Sequence, residues 1–486
     1  MLTAFGQNVA SDVFLFNGKI VTVDSDFSIA EAVAVRGNRI VAVGSSNSLR
    51  KFVGKTTRAI DLGDKTVIPG LIDNHVHLIR HAFRWQHEAR IDNITSRQEA
   101  LNIIAAKAVS QKPGQWVLVI GGWSPSQFRD QPGLFTRAEL DKAAPDNPVF
   151  IQQSYGLILL NSAGLKRAGI DRNATPQRGE RIQYDSQGEP TGRIDGRRTI
   201  FRFWREVLPE TTNVKTVAGL RELMRLYNRS GITAVMEMGG GATRDSTYQL
   251  IGEALSKSNE LSLRVFYSPR FRARNSEQND VVIERIQGSK PDLAGDKFAQ
   301  SFLGEHLYAP IHDSPFRVSK ASDADYAEFA KVAMAAARQG WTIHEHAFRD
   351  ETISRYLEIF ERINKEVPIK PLRWSLHHAD FISEANLRRA QALGVTFALH
   401  SKMTILAPAM RRRYQQQALN YPPLKLINDS GAIWGLGTDA GVVAPYPALL
   451  TLWWAVTGQD LSGEQALAQT LSREQALTTT TITIRR

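Results

Sequence analysis

The stretch "VIPGLIDNHVHLIR", residues 67–80, decides how this chain is read. A proline–glycine turn precedes an apolar run that carries two histidines one residue apart. Side chains alternate faces along a strand, so His75 and His77 point the same way and Asp73 joins them. Core histidines bonded to backbone are the plain reading of such a run. Half of a metal site is the sharper one.

Downstream, apolar strands alternate with polar helical stretches. The candidate strands cover 232–238, 263–269, 298–309, 341–347, 372–379, 394–400 and 432–440. Helical runs such as "DADYAEFAKVAMAAARQG" and "SEANLRRAQALG" separate them, each ending on the glycine that stops a helix. With the opening strand the count is eight, which predicts an α/β fold of the (β/α)8 TIM-barrel type. A doubly wound open sheet is the alternative, but no glycine-rich phosphate loop follows any strand. Residues 12–45 read as short alternating strands with hairpin chemistry at Asn17-Gly18 and Gly37-Asn38. Residues 81–215 are too long for one crossover and predict a large insertion after the first barrel strand. Substrate specificity would reside there.

The totals exclude several classes. The 486 residues, 42% hydrophobic and 22% charged, suit one large soluble domain with a smaller one. No apolar run approaches the ~18 residues of a spanning helix, and the N-terminus lacks a signal-peptide pattern. A cytoplasmic location is therefore expected, with a signal removed before numbering as the alternative. The absence of cysteine excludes disulfides, thiolate ligands and a cysteine nucleophile. The net charge of +11 would suit an acidic partner, yet the basic runs at 270–275 and 410–417 are short, separate and free of interleaved aromatics. Neither nucleic acid nor membrane is expected as a partner. A small-molecule substrate is, and a homodimer is left open.

Of the 11 histidines, two pairs are spaced His-x-His, where chance would give about 0.25. These are His75/His77 and His344/His346, and His377-His378 adds an adjacent pair. Each lies at the C-terminal end of a predicted strand, the end that carries active sites in barrels, as do Glu305 and Asp439. Singly, His346 and His378 would be ordinary buried histidines, Glu305 a surface acid and Asp439 a cap; the pattern carries the case. His344 shares the face of His346, whereas His377 points opposite to His378. Imidazoles and carboxylates without sulfur suit one or two divalent ions, zinc first, then manganese, iron or nickel. Such an ion lowers the pKa of water. Trp123, Tyr155 and Asn161 in the insertion, with His344, are candidates for substrate contact; packing is their plain reading.

Further stretches narrow the class: "NGKIVTVD", "LNSAGL", "GEPTG", "HAFRDETI", "HHADFIS", "GLGTDAG" and "LWWAVTG". With "PGLIDNHVHL" they resemble the amidohydrolase superfamily, specifically its YtcJ-like branch (amidohydrolase family 3), over residues 12–475. The resemblance implies a metal-dependent hydrolase barrel at 69–445. It implies a small β-sandwich from both chain ends, begun by 1–68, with a helical segment and a shortened sandwich end at 446–486. By position, His75, His77, His346 and His378 look like the family's ligands, and Asp439 like the aspartate that touches metal and serves as base, then acid. The fourth strand of the family often offers a carboxylated lysine between two metals. Glu305 is expected to replace it here, with Lys297 as the second candidate. His378 is also expected to help stabilise an oxyanion if only part of the histidine set binds metal. Arg349 stands where the family usually has glycine and would place a cation near the mouth. The end "TTTTITIRR" departs from the family and predicts a sheet lacking strands. The implied reaction is hydrolysis of a non-peptide C–N bond in an amide, N-formyl or cyclic amide. Ester or lactone hydrolysis, or an inactive binding protein, are the alternatives.

Overall fold

The computed structural model describes residues 10–208, 212–239, 245–256, 258–268 and 271–481. The end of the threonine-rich tail, 482–486, and Arg270 of the first basic run lie outside them. Eight parallel strands form the centre in chain order: β1 (Leu71–Val76), β2 (Ile232–Glu237), β3 (Arg264–Tyr267), β4 (Phe298–Gln300, resuming at Phe302–Gly304), β5 (Thr342–Ala347), β6 (Ser375–His378), β7 (Thr396–His400) and β8 (Trp434–Gly437). Their ladders make two sheets, where the sequence predicts one closed barrel. β1, β2, β3 and the first half of β4 pair in one, and the second half of β4 through β8 in the other. The break falls inside β4, at Ser301, so its two halves belong to different ladders.

At the opposite seam β8 lies beside β1. Asp439 N–H donates to the His75 carbonyl at 2.8 Å, and Asn74 Nδ2 donates to the Leu436 carbonyl at 3.2 Å. Glycines in "WGLG" permit this approach: a Cβ on Gly437 would stand 2.6 Å from His75 N. Helices cover the outer faces. The helix Asp323–Arg338 is typical: Ser322 and Asp325 form a capping box, Phe329, Val332, Ala333 and Ala336 bury one stripe, and Gly340 at φ +77° ends it. In β5 the alternation is visible, since Ile343 and Glu345 face that helical layer while His344 and His346 point inward.

Residues 86–208 follow the helix Leu78–Trp85 and contain a five-stranded mixed sheet. Near the N-terminus are two small sheets of four and three strands. Gly37-Asn38 joins Ala32–Arg36 to Arg39–Gly44 as a hairpin. Asn17-Gly18 does not make one: Val13–Phe16 and Lys19–Val21 enter different sheets, because each finds its partners further along the chain. The described C-terminal residues end in the helix Arg473–Thr481.

Candidate metal centre

The side chains singled out in the sequence converge where β1, β4, β5, β6 and β8 end. His75 Nε2 and His77 Nε2 lie 3.6 and 3.5 Å from Asp439 Oδ1. His77 Nε2 is 3.6 Å from Glu305 Oε2. The other oxygen of Glu305 faces a second pair, 2.6 Å from His346 Nδ1 and 3.0 Å from His378 Nε2. Glu305 thus stands between two groups of donors. Lys297, the other candidate, does not reach them: its ammonium donates to Asn259 Oδ1 at 2.6 Å at the exposed start of β4, a strand's length away.

Two ligand candidates have the outer nitrogen on a backbone carbonyl, which leaves the inner one its lone pair. His77 Nδ1 bonds the Gly239 carbonyl at 2.8 Å, so this nitrogen carries the proton and Nε2 keeps its lone pair. His346 Nε2 lies 3.2 Å from the Asp313 carbonyl, leaving Nδ1 for Glu305. His75 Nδ1 sits 2.5 Å from His377 Nδ1, and its buried Nε2 makes no hydrogen bond among the described residues. His378 and Asp439 adopt φ of +76° and +54°, a strained conformation for residues with side chains and one found at functional sites.

Charge fits a cation as well. Burial acts to raise the Glu305 pKa, but His306, His346 and the His346 and His378 hydrogen bonds outweigh it and hold the carboxyl well below its usual range. Asp439 is likewise lowered, burial being overcome by His75 and His77. Burial would lower His346, yet Glu305 and Asp313 raise it to about 10. Burial, with Arg80, pushes His77 down to about 4. Two ionised carboxylates in a buried space draw positive charge, which His346 meets here by holding a proton on its ring. A divalent ion at these nitrogen and oxygen donors would supply it in place of that proton.

Asp73 is not a ligand. Its carboxylate accepts from His75 N, Thr438 N at 2.9 Å and Thr438 Oγ at 2.6 Å, tying β1 to the segment that carries Asp439; burial raises it to about 6. Three of the four residues expected to touch substrate are placed otherwise. Trp123 is fully buried against Phe128 and Phe135, its indole donating to the Gln152 carbonyl. Asn161 caps the helix Ser162–Arg167 and spends its amide on Ala144 and Asn147. The fully buried His344 ring is sandwiched between Phe302 and His377, with no face left for a ligand. Only Tyr155 remains half-exposed. Arg349 is held by Tyr414, the Pro315 carbonyl and the Phe381 ring, so it braces loops.

Residues the sequence reading passed over also belong here. His400, at the end of β7, lies 4.3 Å from His75 and 4.4 Å from His378, ring to ring. The buried Lys402 donates to His378 Nδ1 at 2.7 Å and sits 3.5 Å from Asp380. The rings of His306 and His312 lie beside His346 at 4.4 and 4.9 Å, tilted and edge-on. His400 ends a predicted strand and could have been marked; Lys402 and His312 stand in loops with no periodicity to reveal them.

Residues 58–483 match the family described as "Amidohydrolase family". The chain belongs to the amidohydrolase family, enzymes that are metal-dependent hydrolases of C–N bonds. It is 25% identical over 464 residues to an N-substituted formamide deformylase of Arthrobacter pascens, covering 93% of this chain and 84% of that one. It is 26% identical to the YtcJ protein of Bacillus subtilis (strain 168), assigned to the amidohydrolases by name only, over 79% and 71% of the two chains. With a further curated relative, the chain spans 66–84% of the lengths of these proteins. An uncharacterized metal-dependent hydrolase from Pyrococcus horikoshii shares the fold, with a TM-score of 0.63 at 19% identity over 96% of this chain and 91% of that one. No described helix is long and apolar enough to cross a membrane.

Proposed function

We propose that this enzyme hydrolyses the C–N bond of a small amide, N-formyl or cyclic amide at a zinc centre, with the eight strands acting as one barrel. The observation that carries the reading is Glu305, whose two oxygens each face a separate set of inward nitrogens. His75, His77, Asp439 and Glu305 would hold one ion; Glu305, His346 and His378 would hold a second. A divalent ion there acidifies water and polarises a carbonyl oxygen. Asp439, kept ionised by His75 and His77, accepts the proton of the attacking water and returns it to the leaving nitrogen. Asp73 and Thr438 orient it through the β8 backbone.

A second reading has one ion only. Lys402 donates to His378 Nδ1, so the neutral ring carries its proton on Nε2. That N–H would then donate to the developing oxyanion. Metal stoichiometry separates the two.

The experiment is metal content by plasma mass spectrometry for the wild type and a His75→Ala/His77→Ala variant, with turnover on N-formyl, N-acyl and cyclic amides and on matched esters and lactones. Near-stoichiometric zinc lost in the variant, with amides turned over, supports the reading. Preference for esters or lactones redirects it. Metal far below one per chain, unmoved by the variant or by added ions, refutes it and favours the inactive binding protein.

A further inference from the structure

Arg197 opens the helix Arg197–Val207, just after the last strand of the inserted sheet. The turn before it is made by Gly196 at φ +135°, where a Cβ would stand 2.2 Å from the Gly179 carbonyl. The guanidinium lies over two aromatic rings, 5.3 Å from Tyr155 and 5.7 Å from Phe201. Its Nη2 donates to His312 Nε2 at 3.1 Å. His312 Nδ1 in turn donates to the Asp313 carbonyl at 2.6 Å, which fixes the tautomer and makes Nε2 the acceptor. Beyond His312, at 4.9 Å, is the ring of His346, the neighbour of Glu305. One imidazole therefore separates Arg197 from the candidate metal centre.

Several arginines of the insertion meet carboxylates: Arg181 and Arg193 pair with Asp195, Arg202 with Glu180, and Arg90 with Glu88 and Asp92. Among the described residues, Arg197 has no carboxylate within ion-pair distance. Its partners are ring faces and a lone pair: Tyr155, Phe201 and the Nε2 of His312. The cation Arg317 also acts on it. A guanidinium held in place by two rings and an imidazole keeps its remaining N–H groups for a planar anion, which it binds bidentately.

We propose that Arg197, positioned by His312 and Tyr155, binds a carboxylate of the substrate, so that this enzyme takes amides bearing an acid group near the scissile bond. The inference rests on the proposed hydrolase reading for where the rest of the substrate lies. Carboxylate capture at Arg197 can nevertheless be measured without turnover.

Trp204 supplies the signal, its indole packing 5.4 Å from Phe201 and 6.3 Å from Tyr155. The metal-loaded enzyme is titrated, by intrinsic fluorescence, with a panel of N-acetyl amino acids and with their uncharged methylamides. Acids should bind at least ~10-fold more tightly than the matched methylamides. Arg197→Gln should abolish that discrimination while leaving metal content and melting temperature unchanged, and Arg197→Lys should restore part of it. Equal affinity for acid and methylamide, binding of neither, or discrimination that survives in Arg197→Gln overturns the proposal. Discrimination that depends on Arg197 in an enzyme cleaving none of the amides would refute the hydrolase reading while leaving the anion site intact.

Discussion

Replacing Glu305 by glutamine tests the centre most directly. The surroundings hold His346 at about 10 rather than 6.5, a preference for the cationic ring of about 5 kcal/mol at ~1.4 kcal/mol per pKa unit. Burial opposes that preference, so Glu305 and Asp313 together supply all of it and more. Glu305 is the nearer carboxylate, at 2.6 Å against 3.4 Å for Asp313, and a metal ion replacing the proton on Nδ1 meets the same field. Glu305→Gln should therefore weaken ion binding by roughly a hundredfold or more, since the amide also presents N–H where a lone pair is needed. Zinc competition against a chromophoric chelator measures this. Glu345→Gln is the control, because that acid is fully buried on the opposite face of β5, bonded to Leu307 N and Tyr356. A Glu305→Gln protein that melts like the wild type and binds zinc within threefold of it would refute the reasoning.

Other substitutions probe the supports. Lys402→Met removes the donor on His378 Nδ1, which frees the ring to carry its proton there instead of on Nε2, and should raise zinc affinity at the Glu305, His346 and His378 group. Unchanged or lowered affinity by the same competition would mean that Lys402 does not place the ring's proton. Trp123→Ala should cost about 3–5 kcal/mol by opening the buried Phe128–Phe135 cluster, while leaving KM unaltered; a raised KM in a protein of normal stability would return Trp123 to the substrate. Glu237 is buried on Tyr248, Ile79 N and Gly239 N, and burial raises its carboxyl from 4.5 to about 7. The unfolded chain releases that proton first, so its contribution to stability is full below pH ~4.5 and falls as pH rises to ~7. Glu237→Gln should flatten melting temperature against pH across that window, and an unchanged profile would remove Glu237 as its source.

Much of this was legible in the chain itself. Period-two alternation around His75 and His77 requires both rings on one face, and strand–helix alternation requires parallel strands whose ends gather side chains. Local chemistry therefore exposed His346, His378, Glu305 and Asp439 although they are far apart in sequence. What it could not expose is which neighbours a side chain meets once layers pack. Trp123, Asn161 and His344 have the chemistry of substrate contacts, and only packing shows them bonded or enclosed. The sheet break inside β4 depends on ladder register, which is a relation between strands. Lys402, His312 and Arg197 lie in loops or at a helix start, where no period marks direction; the folded chain alone brings them to His378, His346 and Tyr155. The sequence determined the kind of donors and the strands that carry them, because those follow from residue type and backbone period. The tertiary structure decided how the donors divide around Glu305, and which cation remains for a ligand, because those depend on distances of a few ångströms between segments remote in the chain.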